Sequence, residues 1–189
     1  MRLFLYIVIF MKKFVVLTET TTRLLGKSAA WCALAMMLFQ MVAVLMRYIF
    51  NYGLITFQEA VVYCHAILFL LGAAYVLQVN QHVLVDIFYD IYSEKNRKRL
   101  DIIGLLFFVL PVALVITWYA WPYVVRSWST LEGSRQAGGI PAIFLLKTAI
   151  VVFSISLIMQ VAATTIKLVT GMDAPDWKKP ILPEDHKET

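Results

Sequence analysis

The residues of this chain that could do chemistry are few and widely spaced. Glu59 follows Gln58 just before a long apolar run. Glu132 and Arg135 lie in the short stretch "SWSTLEGSRQAGGIPAIF", between two further apolar runs, and Lys147 lies inside the second of these. His82 and Asp86 stand at i and i+4 in "NQHVLVDIFYDIYSEKNRKR", with Asp90 one turn on. His65, Cys32 and Cys64 fall inside apolar runs.

No set of these residues makes a recognisable catalytic centre. There is no nucleophile elbow, no Gly-rich phosphate loop and no HExxH pair. The lack of a Walker motif argues against ATP hydrolysis by this chain. A membrane haem needs a second axial ligand, and His82 and His186 lie too far along the chain to serve His65. His82 with Asp86 could start a metal site, but a third ligand is not evident, and a solvated pair at a membrane surface fits better. Two cysteines inside apolar runs read as small packing residues. An enzyme is not expected, nor a cofactor bound by this chain.

The elements that must hold these residues follow from hydropathy. Of 189 residues, 61% are hydrophobic and 15% charged, against about 45–50% apolar for soluble domains. Four stretches are nearly free of charge and long enough for a bilayer, which needs roughly 20 apolar residues per helix. The expected spans are about 28–48, 56–78, 100–123 and 141–169. None alternates polar and apolar residues, which excludes barrel strands. The expected fold is therefore an all-α membrane protein with four transmembrane helices. A short amphipathic interfacial helix is expected between the second and third, where Val83, Ile87 and Ile91 share a spacing beside His82 and Asp86. Residues 1–27 read as an N-terminal segment, whose first ten residues suit the membrane surface. Residues 171–189, charged and rich in proline, read as a disordered tail. Pro111 should kink the third span.

Charge placement sets the expected orientation. Arg2, Lys12, Lys13, Arg23 and Lys27 precede span one. Lys95, Arg97, Lys98 and Arg99 lie between spans two and three. Lys167, Lys178, Lys179 and Lys187 close the chain. On the opposite side fall only Arg47, Arg126 and Arg135, with Lys147 inside span four. Thirteen of 17 bases on one side predicts both termini in the cytoplasm. The net charge of +5 is thus explained by topology, with no nucleic acid required. Glu59 can stay wet at its boundary or meet another subunit. Lys147 can snorkel outward or pair with a carboxylate, Glu132 being the local candidate. Glu132 and Arg135 read either as part of a solvated connector or as contacts for a soluble protein.

Three stretches in combination carry a family resemblance. They are "RYIFNYGLITFQEAVVYCHAILFLLGAAYVL", "QHVLVDIFY" and "SWSTLEGSRQAGGIPAIFLLK", within about residues 27–167. Their order resembles the small membrane subunit, DctQ-like, of tripartite ATP-independent periplasmic (TRAP) transporters; Gln58 stands where many relatives have an acid. The resemblance implies a scaffold subunit in a bacterial inner membrane. Its expected partners are the lipid bilayer, a large membrane subunit holding the substrate and sodium sites, and an extracytoplasmic solute-binding protein. The cargo would be a small organic anion, a carboxylate or sulfonate. Arg47, Gln58, Glu59, Glu132 and Arg135 are then candidate partner contacts. The alternative is a membrane anchor of a respiratory enzyme that binds haem or quinone.

Overall fold

A computed structural model describes residues 2–79 and 94–171, and every regular element among them is helical. Helix α1 is Arg2–Ile49 and α2 is Ile55–Gln78. Helix α3, Glu94–Gly104, runs through a π-helical turn, Leu105–Val109, into α4, Leu110–Ser129. Helix α5 is Ile143–Thr170. Four of these stretches are long and apolar enough to cross a membrane: Tyr6–Ile49, Ile55–Gln78, Arg99–Ser129 and Ile143–Thr170. The expected interfacial helix, with His82 and Asp86, and the expected tail lie outside the described residues.

The expected division between an N-terminal segment and span one is not marked by any break, since α1 is a single helix of 48 residues. No proline interrupts it, and Gly26 is its only glycine. At 1.5 Å per residue it is about 72 Å long, more than twice the hydrocarbon thickness. Asn51 stops it. Its left-handed φ of 54° is one that Asn tolerates, and it lets the Tyr52 N–H reach back to the Met46 carbonyl at 3.1 Å.

Pro111 acts one step earlier in the chain than a simple kink would require. It has no N–H to give the Phe107 carbonyl, and directly before it the ladder widens, with Leu110 donating to Leu105, five residues back. The turn buries Leu105, which packs with Leu77, Ala113, Leu157 and Val161. That cluster joins α2, α4 and α5. A second cluster, Ala120, Val124 and Val151, closes the other half of the α4–α5 seam.

Helix α5 packs against α1, α2 and α4 and is the hub of the bundle. Of its most apolar stretch 33% is buried, against 11% in each other span. Hydrocarbon gives apolar side chains little reason to leave it, so membrane helices associate through close packing of small residues. The seams follow that rule. Ala29, Ala74, Ala113 and Ala163 are almost wholly buried. Between α1 and α2, Phe39 stacks edge-on against Phe57 at 5.9 Å. Two turns further down the same antiparallel seam, Cys32 and Cys64 meet. They are free thiols, as expected for packing residues.

Gly26 is the tightest point of that seam. A Cβ placed there would lie 2.5 Å from Cγ of Tyr75. Gly26→Leu should therefore lower thermal stability in detergent, by about 1–3 kcal/mol for an overpacked site, and adding Tyr75→Ala should restore part of it. A Gly26→Leu protein as stable as the parent would refute this α1–α2 register.

Candidate functional site

Polar side chains gather at the two ends of the bundle. The upper end carries the connections 50–54 and 130–142. There α4 ends as the Thr130 N–H caps the Arg126 carbonyl. Leu131 turns the chain with a φ of 44°, and Glu132 N–H bonds the Ser127 carbonyl at 3.0 Å. This turn carries the Glu132 carboxylate back over α5. It accepts from Ser127 Oγ at 2.8 Å and pairs with Lys147. Lys147 lies one turn after the start of α5, and its ammonium also stands 3.9 Å from the Tyr123 ring centroid.

That arrangement decides between the two readings of Lys147. Its side chain is only 11% exposed, and the nearby Glu132 carboxylate and Tyr123 ring compensate its charge, so it is paired rather than snorkelled. Trp128 seals the flank: its indole N–H donates to Thr148 Oγ1 at 2.8 Å, and its ring meets Phe144 edge-on. The hydrogen bonds from Lys147 and then Ser127 hold the Glu132 carboxyl below its ordinary range.

A second carboxylate fastens the rest of the connection. Glu59, on the second turn of α2, accepts from Ser134 Oγ and from the Ile140 N–H, the latter at 2.6 Å. Thr56, one turn earlier, donates to the Gly138 carbonyl at 2.5 Å. The chain must come very close here. Gly138 has a φ of +79°, and a Cβ on Gly139 would lie 2.3 Å from Ser134 Oγ and 2.7 Å from Glu59 Oε1. The segment "GSRQAGG" is thus shaped around Glu59. Among the residues singled out from sequence, Glu59, Glu132 and Lys147 join in these two clamps, whereas Arg47, Gln58 and Arg135 are exposed around them. His65 is exposed on α2, away from this end.

The lower end holds a polar knot that sequence reasoning missed. Glu19 of α1 pairs with Lys167 of α5, the two side chains being 3% and 12% exposed. Gln78, fully buried at the end of α2, donates to the Glu19 carbonyl at 3.0 Å. Val15, Thr18, Glu19, Thr22, Gly26 and Ala29 form the buried stripe of α1, spaced for one helical face. A signal did exist. Glu19 is the only acidic residue before Glu59, and it shares a helical face with Thr22 and Gly26.

Two outcomes check these clamps. Lys147→Met should lower the thermal stability of the chain, because the Glu132 carboxylate loses its counter-charge in a low-dielectric rim. The pH dependence has a definite sign. Since the folded carboxyl of Glu132 is depressed, its contribution is complete above the ordinary carboxylate range and is lost as pH falls through the lowered value. The stability gap between the parent and Glu132→Gln should therefore be full at neutral pH and close at strongly acidic pH. A gap that stays open there would refute the clamp.

Two comparisons, one with curated proteins and one with solved structures, return no match. A family model does match: that of the DctQ component of tripartite ATP-independent periplasmic transporters covers residues 36–171. It takes in all of α2 to α5, the last quarter or so of α1 and both upper clamps. The match spans well over half of the chain and agrees with four helices able to cross a membrane, and on this ground the chain belongs to the DctQ family, the small membrane component of the TRAP transporters.

Proposed function

We propose that this chain is the fixed scaffold of a sodium-coupled TRAP transporter in a bacterial inner membrane, with both termini in the cytoplasm. The large membrane subunit carries the substrate and sodium sites, and an extracytoplasmic binding protein delivers a small organic anion, a carboxylate or sulfonate. This chain binds no cofactor and performs no chemical step. The observation that carries the reading is the family match across the four-helix core. The asymmetry of the bases, thirteen against three, supports the orientation and makes the clamped upper end the outer one.

The clamps refine which residues face a soluble partner. Glu59 and Glu132 are spent inside the chain on Ser134, Ile140, Ser127 and Lys147. Arg47, Gln58 and Arg135 are exposed and are the candidate docking contacts. Rim charges of this kind govern encounter rate and register more than final affinity.

Three measurements test the reading. Reconstituted alone in liposomes, the chain should move no organic anion, and with its large subunit and binding protein it should support sodium-dependent uptake. Uptake by this chain alone would overturn the scaffold role. Single cysteines at Gly133 and Asn96, in a background without Cys32 and Cys64, should react with an impermeant thiol reagent at position 133 only, in cells with a permeabilised outer membrane. Labelling at 96 alone would reverse the orientation. Arg135→Glu should slow uptake at limiting binding protein and recover at saturation, with assembly intact; an unmoved titration curve would remove Arg135 from the docking surface.

A further inference from the structure

The outward face of α4 carries a groove that neither the clamps nor the core uses. Its cavity volume is about 520 Å³, and it is lined by Leu114, Thr117, Trp118, Trp121 and Pro122. This lies within the roughly 300–1,000 Å³ of small-molecule sites. The lining follows i, i+3, i+4, i+7 and i+8 along one helical face. Thr117 turns its hydroxyl into its own helix, donating to the Ala113 carbonyl at 2.8 Å, so the groove presents carbon. Pro122 has no N–H to give the Trp118 carbonyl and replaces a side chain with a compact ring. The two indoles stand out from the helix, Trp118 at 78% and Trp121 at 57% exposure.

One charged group closes the upper end of this stripe. Arg126 stands one turn above Pro122, in the last turn of α4, and is exposed. No carboxylate among the described residues pairs with it; Glu132, six residues on, is held by Lys147 and Ser127. A guanidinium presents a planar fork of donors suited to a phosphate. Leu114 to Arg126 spans twelve residues, about 18 Å of helix. Half of a hydrocarbon core is about 15 Å. An apolar groove about 12 Å long, topped by an unpaired guanidinium one leaflet's depth from its foot and flanked by indoles of the kind that gather at membrane interfaces, suits one acyl chain and the phosphate of an anionic phospholipid.

We propose that this groove holds a single anionic phospholipid of the leaflet at the clamped end, its acyl chain along Leu114, Trp118, Trp121 and Pro122 and its phosphate on Arg126. Binding adds no reaction and is independent of the transport reading. A helix of another subunit would fill the same groove but would leave the arginine without a counter-charge, unless that helix carried a carboxylate at the right height. A phospholipid satisfies both halves of the site at once.

The test uses the assembled complex of this chain with its large subunit, stripped of lipid in detergent and titrated with phosphatidylglycerol or phosphatidylcholine. Native mass spectrometry counts lipids retained, and thermal stability is read in parallel. The parent should retain one tightly held phosphatidylglycerol and be stabilised more by it than by phosphatidylcholine. Arg126→Gln, a change at an exposed position, should weaken that retention about tenfold, the scale of a charge-assisted hydrogen bond, while Arg126→Lys keeps part of it. Thr117→Trp should fill the groove and abolish retention of either lipid. Equal retention in the parent, Arg126→Gln and Thr117→Trp would mean ordinary surrounding lipid only and would overturn the site. A cysteine at position 117 that cross-links to the large subunit, with no lipid retained by the parent, would assign the groove to a protein helix instead.

Discussion

Hydrocarbon offers no hydrogen bonds, and this constraint shapes the molecule more than any single contact. A polar group inside the bilayer must find its partner within the protein or lie at an edge. The bundle obeys this by gathering its paired charges in two layers. One layer is Glu19, Lys167 and Gln78; the other is Glu59, Glu132 and Lys147 with the connection they hold. Between the layers the seams are built mainly from alanine, glycine, cysteine and aliphatic side chains, with Ser154 and Gln160 of α5 buried among them. The helices can slide or rotate cheaply against one another in such a middle, because one apolar contact is worth much the same as the next. Specific pairs at each end remove that freedom.

The two layers fix different relations. The lower pair joins residues 148 positions apart, tying the first helix to the last. Gln78 adds α2 to the same point through the Glu19 carbonyl. The upper clamps tie α2 and α5 to the connection that follows α4. Helix α5 takes part in both layers, through Lys147 and Lys167, and is also the most buried span. Buried ion pairs are poor sources of net stability, since desolvation offsets much of their attraction. Their use here is register, because a slip of one turn would leave two charges unpaired in hydrocarbon.

How much of this was legible from the residues depended on the range of the signal. Spans two and four were readable almost to the residue, because charge-free runs of the right length have few other fates. The stretch able to cross a membrane begins at Arg99, close to the start of the apolar run, while the helix that holds it begins earlier, at Glu94, because a helix continues through charged residues where they can reach water. The Lys147–Glu132 pair was available as one of two readings, its members being only 15 positions apart. The role of Glu59 was not, since its partners Ser134 and Ile140 are 75 and 81 positions away and one is a backbone N–H that no side-chain pattern reveals. Glu19 escaped for a different reason. Expecting span one to begin near Ser28 placed it in a separate segment, whereas the helix runs on and carries it into the bundle.

The distribution of apolar surface completes the picture. Helix α5 is the most buried span, while α1 turns Trp31, Met37 and Met41 outward, the π-helical turn Phe107 and Phe108, and α4 Trp118. In water such surfaces would signal aggregation, but in a bilayer they cost little and can face lipid or protein equally well. What separates the two helices is polarity along the exposed stripe. Around α1 beyond Ser28 the exposed face is apolar, apart from Gln40, until Arg47 and Tyr48 at the boundary. Along α4 it is notched by Pro122 and crowned by Arg126 one turn later. A smooth face suits a surface against which another helix can pack at several angles. A notched face with a charge at a fixed height suits an occupant with its own fixed length. The chain thus divides its perimeter between an adaptable side and a dimensioned one, with α5 holding the two at constant separation.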